Sequence, residues 1–153
     1  MRRWPWIALA AAVAAAGGAL WFAMPRDIAI RADDAGSVAR GQSVYTRHCA
    51  SCHGERLEGQ PDWQSRKPDG RLPAPPHDAT GHTWHHPDRV LFEITKYGVA
   101  KAANLPGHPS NMPAYEGILS DADIVAVLSW IKAQWPEPIR KQQEEVNAAQ
   151  RRR

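Results

Sequence analysis

The sequence predicts an all-α protein: an N-terminal transmembrane helix, then a small domain of three main helices joined by two long, proline-rich loops. Three observations carry this. An uncharged stretch of 22 residues separates Arg3 from Arg26. Three later segments repeat apolar side chains at helical spacing. Between them no segment alternates convincingly with the period of two that a half-buried strand requires, and no internal repeat is found. At 153 residues the chain has room for one ordinary domain and not for two full-sized ones.

Residues 1–24 form the first element. Ile7 to Met24 is an unbroken run of 18 apolar or small residues. As a helix it spans roughly 27 Å, close to the ~30 Å hydrocarbon core of a bilayer. Arg2 and Arg3 precede it, so the positive-inside rule keeps the N-terminus in the cytoplasm and exports the remainder. Trp4, Trp6 and Trp21 fit interfacial belts, and Pro25 stops the helix. The competing reading is a signal peptide cut after Ala14-Ala15-Ala16. Cutting there leaves Leu20-Trp21-Phe22 exposed at the new terminus, which favours an uncleaved anchor. Either version exports the rest of the chain.

Residues 25–36 are polar and read as a linker. The domain spans 37–135. Its first helix carries Val38, Gly41, Tyr45 and His48 on one face and runs into Cys49. From Gly54 to about His85 there is no period but five prolines, Pro61, Pro68, Pro73, Pro75 and Pro76. An irregular stretch of that length is expected in a compact domain only where it is functional or wraps something. His86-Pro87 opens a second helix, with Pro87 at the first helical position, Val90, Leu91, Ile94 and Tyr97 as its apolar face and Gly98 past its end. A second loop holds Pro106, Pro109 and Pro113. Ser120-Asp121-Ala122-Asp123 approximates a capping box, and Ile124, Val127, Leu128, Ile131 and Trp135 form the stripe of the last helix. Residues 136–153 read as a polar C-terminal tail, frayed or disordered. Three helices make a thin core for about a hundred residues, so something besides side chains is expected to fill the middle.

The net charge of +3 is unevenly placed. Residues 1–26 and 140–153 each carry +3, whereas residues 27–139 carry −3. A nucleic-acid-binding domain concentrates basic charge in its folded part, so that class is excluded.

Cys49-Ala50-Ser51-Cys52-His53 is the pattern of c-type haem attachment. In a helical turn both thiols face one side, where they can add to the two vinyl groups along a haem edge. His53 then comes under the iron, for which neutral imidazole is a good axial ligand. A thioredoxin-like pair wants a βαβ context and a zinc site needs two further ligands; neither is present. The sixth ligand is expected to be Met112, the sole thioether on the exported side, in Ser110-Asn111-Met112-Pro113. The alternatives are a core methionine, or a bis-histidine haem using His77, His82, His85, His86 or His108.

These residues resemble the class I mono-haem c-type cytochromes over about residues 37–135, through Gly41-x-x-x-Tyr45-x-x-x-Cys49, Cys49-x-x-Cys52-His53-Gly54, Asn111-Met112-Pro113 and Val127-x-x-Trp130-Ile131. The resemblance implies the small cytochrome c fold, with Gly41 and Tyr45 meeting Val127, Trp130 and Ile131 where the first and last helices cross. It also implies that a proline carbonyl orients the Nδ1–H of His53; among Pro73, Pro75 and Pro76, the choice is Pro75. The cluster His77, His82, His85 and His86 around Trp84 has two readings. One is a second metal site, copper being the candidate. The favoured one is a loop at the haem edge, where the Trp84 N–H and a histidine hold a propionate. Trp63, Arg66, Lys67 and Arg71 read as a solvated loop in preference to a propionate shelf.

The expected function is that of a membrane-anchored carrier of single electrons, with one covalent haem c, no catalytic step and no small-molecule substrate. It is expected in the inner membrane of a bacterium, single-pass, with the haem domain in the periplasm. Its acidic domain is expected to meet a basic face on its redox partners. The alternatives are a fixed haem subunit of a larger oxidase or dehydrogenase, and a haem sensor or enzyme with a labile sixth ligand.

Overall fold

Helical spacing and local capping signals translate directly into most of the architecture. The structure, a computed structural model, describes residues 28–152. The expected transmembrane helix at 1–24 and the first residues of the linker lie outside the described residues. Among the described residues no helix is long and apolar enough to cross a membrane, and there is no strand.

Helix α1 (Ala35–His48) begins two residues earlier than the period indicates, because the Asp34 carboxylate accepts from the Ser37 N–H as an N-cap. A single turn, α2 (Ala50–His53), follows after Cys49 and ends at Gly54, whose φ of 83° suits glycine. After the long loop and a 3₁₀ turn at Thr83–His85 come α3 (Asp88–Tyr97) and the short α4 (Val99–Ala102). Pro87 caps α3 and stands one position before it, not inside its first turn. Helix α5 (Asp121–Ala133) starts in the full capping box: the Ser120 hydroxyl accepts from the Asp123 N–H while the Asp123 carboxylate accepts from the Ser120 N–H. Helix α6 (Glu137–Arg151) completes the fold.

Helices α1 and α5 pack across each other, and Gly41 makes the close approach possible. A Cβ at Gly41 would lie 2.8 Å from the Trp130 Cβ and 2.6 Å from the Ala126 carbonyl carbon. The rings of Tyr45 and Trp130 meet beside it, with centroids 4.5 Å apart. The expected stripe is buried throughout, Ile124, Val127, Leu128 and Ile131 on α5 and Trp135 two residues past its end, and Val44 adds a core residue on α1. On α3 the expected face is only partly right. Leu91 is buried, but Val90, Ile94 and Tyr97 stay half-buried, while Asp88, Phe92 and Thr95 point inward. Polar Asp88 and Thr95 are buried with hydrogen-bond partners, which a stripe of apolar residues does not anticipate.

The segment expected as a polar tail is helix α6, and it docks through amides. Gln143 and Asn147 lie one turn apart and are buried. Both donate side-chain N–H groups to one Asp88 carboxylate oxygen, at 2.6 and 3.0 Å, and the Asp88 N–H donates to the Asn147 side-chain oxygen. The other Asp88 oxygen accepts from the Ile30 N–H at 3.1 Å. Thus the linker, too, is part of the packed unit from Ile30 onward: Ile30 is buried and the Arg31 N–H donates to Ser129.

Candidate haem-attachment site

The site grows out of the α1–α2 corner. Cys49 ends α1 with its N–H on the Tyr45 carbonyl, and its own carbonyl accepts from the Cys52 and His53 N–H groups. That turn sets the two cysteines and His53 in one helical register. Both thiols are free; Cys49 is half-buried and Cys52 exposed. Two tyrosine hydroxyls brace the corner. Tyr115 donates to the His48 carbonyl at 2.6 Å, immediately before the motif, and Tyr45 donates to the Gly54 carbonyl at 2.7 Å, immediately after it. Burial pushes the Tyr115 hydroxyl up to about 12 and raises that of Tyr45 as well, so both remain protonated donors at neutral pH. The bracing role of Tyr115 escaped the sequence reading, because its partner lies 67 residues away.

His53 is buried, and its Nδ1 lies 2.9 Å from the Pro75 carbonyl oxygen. A carbonyl only accepts, so Nδ1 carries the proton and Nε2 keeps its lone pair. Burial lowers the His53 pKa and the Pro75 hydrogen bond opposes this; neutral imidazole is the form a metal takes.

The Pro75 carbonyl reaches His53 because the irregular loop folds back on itself. The Gly59 N–H donates to the His53 carbonyl, Gln60 to Ala74, and His77 to Leu57. Gly59, at φ 70°, faces the Pro75–Pro76 peptide: a Cβ there would stand 2.5 Å from the Pro76 nitrogen. Gly81 lies against the Pro76 carbonyl, again too close for a Cβ. The two glycines hold the Pro-Pro segment between them. Neither stood out in the sequence, since the close approach joins positions with no periodic relation.

The four clustered histidines separate. The His77 ring stacks on His53 at 4.0 Å, His82 stacks on Trp63 at 5.3 Å, and His85 packs on Trp84 at 3.7 Å. His86 meets only the edge of His82. Among the described residues no group of three or more His, Cys, Asp or Glu is placed to hold a metal ion. The second-metal reading of the cluster therefore has no geometric support. If His53 holds an iron, the His77 ring stacked on its face stands on the same side and is not placed to be the opposing ligand.

Met112 is half-buried in the second loop, its N–H on the Ser110 hydroxyl. The loop is tied down just beyond it, where Tyr115 and Glu116 donate backbone N–H groups to Thr95 and Lys96 at the end of α3. Among the described residues two buried side-chain donors have no protein partner, Trp84 Nε1 and Arg71 Nε. Buried donors are almost always satisfied, so each of these fits an anionic group supplied by a cofactor. Arg71 joins Trp84 as a candidate through Nε alone: its side chain is 40% exposed, as a solvated loop implies, and its Nη1 pairs with Asp69 at 3.3 Å.

Comparison with known proteins identifies the family. The family model described as cytochrome c matches residues 38–135. The chain is 31% identical over 101 residues to the cbb3-type cytochrome c oxidase subunit CcoP of Azospirillum sp. (strain B510); the match covers 66% of this chain and 30% of that protein. The chain thus spans less than a third of that relative's length. No solved structure matches.

Proposed function

Because the chain belongs to the cytochrome c family, we propose that it is a membrane-anchored mono-haem cytochrome passing single electrons between redox partners on the periplasmic side. Covalent haem c and haem-based electron transfer follow from the family itself. The observation that carries the residue-level reading is the His53–Pro75 hydrogen bond within the Cys49-x-x-Cys52-His53 turn, which leaves Nε2 free for iron beside two free thiols.

On this reading Cys49 and Cys52 would form the two thioethers, and His53 and Met112 would be the two ligands to the haem iron. Pro75 fixes the His53 tautomer and raises its basicity as a ligand. Trp84 Nε1 and Arg71 Nε are the donors for the propionates, and their lack of any protein partner supports that role. When bound, the haem supplies an iron that alternates between Fe(II) and Fe(III); thioether sulfur from Met112 favours the reduced state. The chain's own residues would hold the group and shield it, and with His53 and Met112 both bound to the iron no position would be left for a substrate.

The optical spectrum of the purified protein tests this. A low-spin haem with a methionine–iron charge-transfer band is expected, the band disappearing in Met112→Ala while CO binding appears. A high-spin ferrous wild type that binds CO readily would instead establish the sensor or enzyme with a labile sixth ligand.

A second reading, a fixed haem subunit of a larger oxidase, is favoured by the likeness to an oxidase subunit. Purification in mild detergent separates the two. A stoichiometric partner that survives ion exchange at high salt supports the fixed subunit; release of the cytochrome alone supports the carrier.

A further inference from the structure

His77 is held more firmly than any surface histidine requires. Its N–H donates to the Leu57 carbonyl at 2.8 Å, and its carbonyl accepts from the Trp135 indole N–H at 2.7 Å. Its ring Nδ1 lies 2.8 Å from the hydroxyl of buried Thr83. The ring so fixed lies nearly parallel to that of His53, with 22° between planes and 4.0 Å between centroids. A hydrogen bond from Nδ1 to Pro75 fixes the direction in which the His53 ring points, but a single bond leaves the ring free to twist about its own axis. A flat, immobile wall against one face removes that freedom.

We propose that His77 is a positioning residue that sets the plane of the His53 imidazole relative to the iron orbitals. The inference rests on His53 being a ligand to the haem iron, as proposed above. The imidazole plane determines which iron d orbitals overlap the ring's π system. It therefore shapes the unpaired spin distribution over the ferric haem and contributes to the reduction potential. Stacking does this work, so any planar ring of similar size at position 77 substitutes for histidine, and an aliphatic side chain of comparable volume does not.

The holoprotein carries the test, through the proton NMR shifts of the haem methyl groups in the ferric state and the midpoint potential. His77→Leu is expected to alter the spread or order of the methyl shifts and to displace the potential. His77→Phe keeps a flat ring but loses the Thr83 hydrogen bond, so it is expected to move both readouts no further than Thr83→Val and well short of His77→Leu, and His82→Ala, which stacks on Trp63 and not on His53, to leave both readouts unchanged. If His77→Leu yields no holoprotein, Thr83→Val serves: the ring stays but loses a brace, and a smaller change in the methyl pattern is expected. A Leu variant (or, failing it, a Val variant) with the wild-type pattern overturns the proposal, as does a Phe variant that shifts as far as Leu. A wild type without low-spin haem would instead overturn the ligand assignment on which it rests.

Discussion

Gly59 and Asp123 show how single positions control distant or pH-dependent properties. At Gly59 both the positive φ and the contact with Pro76 exclude a side chain. Gly59→Ala is expected to destabilise the protein by about 1–3 kcal/mol in denaturant unfolding and to shift the midpoint potential by moving the Pro75 carbonyl. Asp123 is held at about 2, chiefly by the Arg40 guanidinium and then by the Ser120 hydroxyl. A carboxyl depressed in the folded state stabilises above its unfolded value near 4 and ceases to do so as pH falls toward 2. Asp123→Asn, which weakens the Arg40 and Ser120 bonds and leaves the Ser120 cap in place, is therefore expected to cost roughly 1 kcal/mol at neutral pH and to flatten the acid limb of a stability–pH curve between about pH 4 and 2. The attachment motif was legible residue by residue, since the covalent chemistry dictates its spacing. Gly59, Gly81 and Tyr115 were not, because their contacts join the loop to positions fixed only by the folded chain.

Among elements, α5 was the most legible and α6 the least. The α5 stripe and its capping box are local patterns, complete within sixteen residues of sequence from Ser120 to Trp135. Helix α6 has little apolar content and attaches through Gln143 and Asn147 to a carboxylate 55 and 59 residues away. No window of sequence holds both halves of that contact. Asp88→Leu leaves the Ile30 N–H without its acceptor and leaves the two amides only their longer bonds, Gln143 to the His86 carbonyl and Asn147 to the Gln143 side-chain oxygen, and a loss of about 3 kcal/mol is expected in thermal or denaturant unfolding. Gln143→Leu with Asn147→Leu in the same chain is expected to recover part of it, since apolar groups need no acceptor. The apolar face of α3 was misjudged for the same reason: Asp88 is inward because α6 satisfies it.

At the scale of the molecule, α6 alters the charge argument. Residues 28–152 hold fifteen Lys and Arg against fifteen Asp and Glu, so the folded unit is neutral before the haem, not −3. Overall charge then gives no reason to expect a basic partner, and steering has to come from local patches. Partner binding measured across salt concentrations is expected to weaken only modestly; a steep fall would mean that a strongly charged patch dominates docking. The half-buried Val90, Ile94 and Tyr97 agree with a core that side chains alone leave thin. The hydrogen bond from Ile30 to Asp88 bears on how far the protein can search. Only six residues lead from Met24 to Ile30, and an extended chain covers at most about 3.5 Å per residue, or ~20 Å in all. If the N-terminal segment anchors the protein, the domain swings on a leash of at most about 20 Å, and only partners that bring their redox centres close to the membrane surface fall within its reach.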